Sequence, residues 1–305
     1  MSKKDLISID SLNRKEIFDI MKLAAKMKRS PLMKKKALAN KTLALLFQKP
    51  SNRTRISFEV AMTHLGGYTM YLSPQEIDMG VREPVKDVAC VVSRYVDGIV
   101  ARVFSHDDVV TMSRYSDRPV INGLSDLSHP CQALSDLFTI KEKLGSLKKV
   151  KLAYVGDGNN VLNSLLMVSA KTGLDISIGT PEGYEPDKEV YNKALKNADA
   201  SGSVVKISND PIEAVEGADV VYTDVWVSMG QEKEREKRLN DFKGFQVNET
   251  LMKNAAENAL IMHCLPAHRG EEITDVVDGK NSIVYDQAEN RMHVQKAILF
   301  KLMGK

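Results

Sequence analysis

The chain has 305 residues, 43% hydrophobic and 27% charged, with a formal net charge of +3. That suits a globular protein of about two domains and gives no field strong enough to argue for nucleic acid or a membrane surface. The start, MSKKDLISID, has no apolar signal core, and no apolar stretch reaches the roughly 20 residues that span a bilayer, so a cytoplasmic protein is expected. Cys90, Cys131 and Cys264 are odd in number and irregularly spaced, which disfavours a disulfide framework and fits a reducing compartment. Lys3, Lys4 and the run Lys34 to Lys36 read as solvated surface.

In chain order, apolar runs of β type alternate with amphipathic stretches. Residues 11–28 predict a helix, with Ile17, Ile20, Met21 and Ala24 at helical spacing. Thr42–Phe47 predicts a buried strand, and 53–65 a helix stopped by Gly66 and Gly67. Tyr68–Leu72, Gly98–Arg102 and 119–122 predict further strands, with helices over 86–95, 107–115 and 129–144. The polar break at 145–149 marks a domain boundary. Beyond it, strands are predicted over 150–155, 174–179, 204–207, Val220–Thr223 and 259–263, with helices over 159–172 and 288–303. Strands alternating with helices imply parallel sheets covered on both faces, so the fold class is α/β with two doubly wound domains. In such sheets ligands bind at the carboxyl ends of strands, which makes the strand-end loops the place to look.

Five such loops carry candidate chemistry. Lys49-Pro50-Ser51-Asn52-Arg53-Thr54-Arg55 follows a strand and opens a helix, whose free N–H groups and positive dipole end receive anions. Its hydroxyls and planar guanidinium groups suit phosphate, although a plain helix cap with Ser51 at its head explains the segment equally well. His129-Pro130-Cys131-Gln132 again opens a helix, and His and Gln can both donate to a carbonyl oxygen that is to be polarised; position alone favours a capped helix with Pro in its first turn. Gly156-Asp157-Gly158-Asn159-Asn160 starts like a dinucleotide fingerprint, but Val161 stands where the third glycine belongs and the next strand ends without a ribose-binding acid. A tight turn presenting Asn side chains is the better reading, and no nicotinamide cofactor is expected. Asp224-Val225-Trp226-Val227-Ser228-Met229-Gly230 puts a carboxylate at a strand end, where it can hold an ammonium group; core packing accounts for the single Trp, and the QEKEREKR run that follows reads as solvated. His263-Cys264-Leu265-Pro266-Ala267-His268 leaves three readings open: a metal site lacking a convincing fourth ligand, a thiol nucleophile, or a polar contact to substrate.

Taken in order, these segments resemble the aspartate/ornithine carbamoyltransferase family over essentially the whole chain. Ser-x-Arg-Thr-Arg and His-Pro-x-Gln resemble its carbamoyl-phosphate half, while Asp-x-Trp-x-Ser-Met-Gly and His-Cys-Leu-Pro resemble its ornithine-specific members. The resemblance implies a carbamoyl-phosphate domain over 1–145, an ornithine domain over 146–287, and a last helix, 288–305, returning to the first domain. It implies transfer of a carbamoyl group to the δ-amine of ornithine, with no metal or cofactor, in a homotrimer or a multiple of one. By the same resemblance, Ser51, Asn52, Arg53, Thr54, Arg102, His129, Gln132 and Arg291 would bind carbamoyl phosphate. Asn160, Asp224, Ser228, Met229, Cys264 and Leu265 would bind ornithine. Arg102, His129, Asp224 and Cys264 would be the catalytic set, Asp224 or Cys264 accepting the amine proton.

The sequence departs from the family pattern at two positions. Asn52 replaces a common Thr and can still donate. Asp78, in Glu76-Ile77-Asp78-Met79-Gly80, stands where the family often has Gln or His on a loop that enters a neighbouring subunit's phosphate site; an acid there needs a partner such as Arg82. Alternatives are a carbamoyltransferase for putrescine, lysine or an acylated ornithine, a non-catalytic binding protein on the same fold, and a dinucleotide-dependent oxidoreductase.

Overall fold

The computed structural model describes residues 4–228 and 230–304. The chain forms two compact units, Met1–Ser135 with Glu289–Lys305, and Asp136–Ala288. In the first unit, α1 (Arg14–Arg29) precedes β1 (Thr42–Phe47), α2 (Asn52–His64), β2 (Tyr68–Leu72), the short α3 (Pro74–Ile77), α4 (Val85–Val92), β3 (Gly98–Arg102), α5 (His106–Tyr115) and β4 (Val120–Leu124). Helix α6 (Pro130–Leu144) carries the chain into the second unit. There it forms β5 (Lys151–Val155), α7 (Asn160–Thr172), β6 (Asp175–Gly179), α8 (Lys188–Ser201), β7 (Val205–Ser208), α9 (Pro211–Val215), β8 (Val220–Thr223), α10 (Arg235–Asp241), α11 (Glu249–Met252) and β9 (Leu260–His263). Helix α12 (Val284–Met303) brings it back.

Both sheets are parallel, as the α/β reading requires. The first has the order β2-β1-β3-β4 and the second β7-β6-β5-β8-β9. Their central strands are near-continuous apolar runs because helices cover both faces: Leu43 to Phe47, Gly98 to Arg102 and Leu152 to Val155 are all buried. In the first sheet the chain steps outward from β1 to β2 and then returns to lay β3 on β1's other side, with Leu43 opposite both Thr69 and Gly98. In the second it steps from β5 to β6 and β7, then returns to lay β8 beside β5, with Leu152 opposite both Ile176 and Val220. The direction of winding therefore reverses between β1 and β3 and between β5 and β8. At such a reversal the loops leaving the two strands splay apart, and the crevice they leave is where a doubly wound sheet binds its ligand.

Each unit has its own core. Ala44, Leu46, Ile99, Ala101, Val109, Met112 and Val120 pack together in the first. In the second, Ala153, Val155, Val221, Ile261 and Val284 pack with Trp226, Phe242 and Phe245. Helix α2 stops where the sequence places the stop: Gly66 has φ +84°, and a Cβ there would meet the Lys35 carbonyl oxygen at 2.4 Å. The last helix begins at Val284, four residues before the expected start, so Arg291 lies two turns inside it. Helix 86–95 is shorter than expected, and α8 and α10 carry too little apolar signal to have been marked.

Candidate active site

In the first unit, the loops leaving β1 and β3 converge on the start of α2. Ser51 heads that helix, its Oγ accepting from the Thr54 N–H at 3.3 Å and donating to Thr54 Oγ1 at 3.1 Å. Asn52 and Arg53 follow in the first turn. Arg291, from α12, donates to Thr54 Oγ1 at 2.9 Å, so the last helix is tied to this loop. Arg102 is the last residue of β3, and its carbonyl holds the Gln48 N–H at 2.8 Å, which keeps the two strand-end loops in register past the sheet. Pro130 opens α6, placing His129 just ahead of the helix and Gln132 one turn along it. Thr54, Arg102, His129, Gln132 and Arg291 are all buried.

The electrostatics of this cluster are one-sided. The His129 imidazole is held well below its ordinary pKa, first by burial and then by the guanidinium groups of Arg291, Arg102 and Arg53. It is therefore neutral at physiological pH, a hydrogen-bonding group rather than a charge, surrounded by three cations and a helix N-terminus. Such a place favours a doubly charged phosphate and a carbonyl oxygen gaining negative charge. Cys131 lies two residues after His129, but burial pushes its thiol up to about 12 against the opposing pull of Arg291, so it is not a nucleophile.

In the second unit, the loops leaving β5, β8 and β9 carry a separate cluster of polar side chains. Asp224 follows β8 directly. Its Oδ2 accepts from Asn159 Nδ2 at 2.8 Å and its Oδ1 accepts from the Cys264 thiol at 2.9 Å. Asn159 therefore touches Asp224, while its own Oδ1 caps α7 through the Val161 and Leu162 N–H groups. Asn160 is the first residue of α7, and its carbonyl accepts from Ser164 Oγ. Ser228 lies in a turn closed by Gln231, whose side chain accepts from the Ser228 N–H at 3.0 Å. Met229, the other expected contact of this loop, lies outside the described residues.

The three readings of the His263-Cys264 segment can now be ranked. His263 Nε2 faces Glu272 Oε1 at 3.1 Å, and His263 Nδ1 accepts from the Leu265 N–H at 2.8 Å. That pairing makes the ring neutral with its proton on Nε2. Asp224, His263 and Cys264 do bring possible ligand atoms within 4.8 Å of one another, but a metal would have to displace one of these two bonds of His263. The Cys264 thiol donates a hydrogen bond to the Asp224 carboxylate, which holds it as a thiol, the form that makes a polar contact rather than a nucleophile. Leu265 sits at φ +61°, a left-handed conformation that costs a non-glycine residue roughly 1–2 kcal/mol, and its N–H is aimed back at His263.

Arg238 was hidden in the charged run after Gly230. The Lys and Glu of that run are exposed, as a solvated segment should be, yet Arg238, in α10, is only 7% exposed. It pairs with Asp157 at 3.1 Å, donates to the Trp226 carbonyl at 3.0 Å and to Glu234 at 2.9 Å, and lies over the Tyr184 ring. It therefore fastens the loops after β5, β6 and β8 to one another. The signal that would have found it is the i, i+4 pair Glu234–Arg238 beside a lone Trp. Trp226 is buried and stacks on Phe242, as core packing predicts. Gly158 makes the tight turn of its loop, since a Cβ there would meet the Glu185 carbonyl oxygen at 2.2 Å. Asp78 takes a left-handed conformation at φ +36°, and among the described residues no ion pair joins it to Arg82.

Two parallel-sheet α/β units, one with a cluster of arginines at a helix start and the other with a carboxylate–thiol pair at strand ends, are the architecture of a two-domain α/β transferase. The carbamoyl-phosphate-binding domain of aspartate/ornithine carbamoyltransferases matches residues 4–142, and the Asp/Orn-binding domain of the same enzymes matches 148–302. The chain belongs to the aspartate/ornithine carbamoyltransferase family. It is 53% identical over 304 residues to the ornithine carbamoyltransferase of Pyrococcus horikoshii, covering 99% of this chain and 96% of that one. It is 52% identical to the relative from Pyrococcus furiosus named as the anabolic ornithine carbamoyltransferase, covering all of this chain and 98% of that one. The solved ornithine carbamoyltransferase structure from P. furiosus superposes with a TM-score of 0.96 over 99% of this chain and 97% of that chain. An anabolic enzyme from Campylobacter jejuni superposes at 0.94 with 40% identity, over 98% of each chain.

Proposed function

We propose that the protein transfers the carbamoyl group of carbamoyl phosphate to the δ-amine of L-ornithine, giving L-citrulline and phosphate. The observation that carries this reading is the neutral His129 set among Arg53, Arg102 and Arg291 beside the Ser51-capped helix. It suits a dianion with an adjacent polarisable carbonyl. Names of close relatives, all ornithine carbamoyltransferases, support the second substrate.

In this reading Ser51, Asn52, Arg53 and Thr54, with the first N–H groups of α2, hold the phosphate. Arg102 and His129 hold the carbamoyl oxygen, Gln132 the carbamoyl amide, and Arg291 fixes Thr54. Asn160, Ser228, Met229 and Leu265 line the amino-acid side, and Asp224 with Cys264 orients the side-chain amine. That amine has an ordinary pKa near about 10.4, so the neutral form must be selected. Its lone pair adds to the carbamoyl carbon, and the carbonyl oxygen takes up negative charge against Arg102 and His129. The carbon–oxygen bond to phosphate then breaks, and phosphate leaves as an anion already matched by its cradle. Asp224 takes the proton released from nitrogen, because Cys264 already donates its own to that carboxylate. Most of the rate comes from positioning and fixed charge.

The anabolic naming of the P. furiosus relative supports a place in arginine biosynthesis. No helix among the described residues is long and apolar enough to cross a membrane. The free thiols of Cys90, Cys131 and Cys264 support a cytoplasmic site of action. A homotrimer is supported by the exposed apolar edge strand β2. The deciding experiment is citrulline formation from carbamoyl phosphate and L-ornithine, with putrescine, lysine and N-acetylornithine assayed in parallel. Selective turnover of ornithine is expected; turnover only with another amine would overturn the substrate, and none with any amine the reaction.

A further inference from the structure

Strands β1 and β3 part where the winding of the first sheet reverses, and one side chain keeps them paired a step further. Gln48 is the first residue past β1. Its N–H donates to the Arg102 carbonyl at 2.8 Å, which continues the parallel register that sets Phe47 opposite Arg102. In a parallel ladder, a residue that donates to one neighbour accepts from the residue two further along the same strand. The next rung would therefore run from the Phe104 N–H to the Gln48 main-chain carbonyl. It runs instead to the side chain of Gln48, whose Oε1 accepts from the Phe104 N–H at 2.7 Å. The main chain at Gln48 can then turn away towards Ser51 while the Arg102 segment stays paired on both sides of its peptide.

The remainder of the amide fixes which end faces Phe104. A side-chain amide has one accepting oxygen and two hydrogens to give. Nε2 lies 3.1 Å from the Met79 carbonyl oxygen and 3.2 Å from Asp108 Oδ2, both acceptors. Met79 is buried in the core of the first unit and Asp108 lies in the first turn of α5, so the amide is anchored from two directions. Strand β4 does not supply the same rung. Its register slips between Ala101 and Arg102, and its side of the segment is held through the Val103 N–H on the Leu124 carbonyl at 2.9 Å and the Asp126 N–H on the Phe104 carbonyl at 3.0 Å. The Phe104 N–H is met by Gln48.

We propose that Gln48 is a positioning residue for Arg102, its side-chain amide standing in for the ladder rung that β1 gives up where it turns towards the phosphate loop. This rests on the assignment of Arg102 to the carbamoyl oxygen. A guanidinium that stabilises developing charge acts through its placement, so loosening the backbone that carries it lowers the rate.

The test is a double-mutant cycle on kcat with Arg102→Ala and Gln48→Met, which keeps the length of the side chain and loses its hydrogen bonds. Alone, Gln48→Met should lower kcat about tenfold, the scale of a small misplacement of a charge-stabilising group. With Arg102→Ala already present it should lower kcat less than about twofold, since no guanidinium is left to aim. An equal loss in both backgrounds would mean that Gln48 only supports the fold, and would overturn the proposal, as would no loss in the wild type. Gln48→Glu combined with Asp108→Asn exchanges donor and acceptor at their contact and keeps an oxygen for the Phe104 N–H. This pair should hold kcat within about threefold of the wild type and gives a reading even if Gln48→Met folds poorly; a loss of about tenfold in the folded pair would overturn the proposal. Arg102→Ala by itself separates the underlying assignment. Near-normal kcat there would remove the assignment and the proposal together, whereas a large loss there with an undiminished effect of Gln48→Met would remove the proposal alone.

Discussion

At the scale of single residues, the site works by keeping some groups charged and others neutral. Arg53 is one of three guanidinium groups acting on His129. If Arg53 holds the phosphate as proposed, Arg53→Ala removes that charge without opening the core, so melting should be unchanged while kcat/KM for carbamoyl phosphate falls about 10²–10³-fold. Steady-state kinetics with near-normal turnover would refute that role. Glu272 is the opposite case, an acid with no exposure that must stay ionised. Burial pushes its pKa up, but the hydrogen bonds from His263 and from the His268 N–H outweigh burial and hold it below the ordinary 4.5. The unfolded chain then binds more protons in this window, so this contribution to stability is fully present above pH 4.5 and drains away as pH falls below it. Glu272→Gln keeps an acceptor at Oε1 and removes the titration. Its melting temperature should therefore fall less steeply than the wild type's on acidification below that point, and parallel curves would show that Glu272 does not carry the acid limb.

Between residue and domain, the elements show which signals a sequence carries. The strands β1, β3, β5 and β8 are unbroken apolar runs, because a parallel strand is buried on both faces, and the sequence marks them within a residue. Helix α8 exposes most of its length and buries only Ala194 and Ala198, so its pattern is nearly silent. The loops at the strand ends were legible from residue type: Ser51 as a cap, His129 before a proline, Asp224 after a strand. What residue type could not reveal is pairing over distance. Asn159 reaches Asp224 across 65 positions, and Arg238 reaches Asp157 across the whole of two βα units. Arg238 is the sharper lesson, since its neighbours in sequence are solvated and it is not. Burial pushes Asp157 up to about 6 even with Arg238 beside it, so without Arg238 it would take up a proton rather than stay as a buried anion. Arg238→Gln should therefore leave a folded enzyme whose loops after β5 and β8 are no longer fastened together. KM for ornithine should rise about tenfold or more, while KM for carbamoyl phosphate moves less than about threefold, because a buried ion pair is lost in the second unit alone. Equal changes in both constants would mean that Arg238 supports the fold and not the ornithine loops.

For the whole molecule, one strand is out of character. Strand β2 closes one side of the first sheet, and α2 covers one of its faces: Arg55 lies over the Tyr71 ring at 4.0 Å and Phe47 packs edge-on against that ring. Side chains alternate along a strand, so Tyr68 and Met70 point the other way, and they are 65% and 51% exposed. An edge strand that shows an aromatic and a methionine to water has none of the charges that keep such edges from pairing. The proposed homotrimer would cover this face, and the sequence offered only the family resemblance as a reason to expect it. Met70→Lys places a charge where that contact would bury an apolar side chain, at a cost of roughly 2–3 kcal/mol or more per interface, and leaves each sheet's core untouched. Light scattering at micromolar concentration should show the wild type at three times the chain mass and Met70→Lys shifted towards monomer. If β2 is the contact, activity of the variant should recover with protein concentration as subunits reassociate. An unshifted mass would move the interface elsewhere on the unit, and a shifted mass with full activity at every dilution would mean that each chain completes its own site.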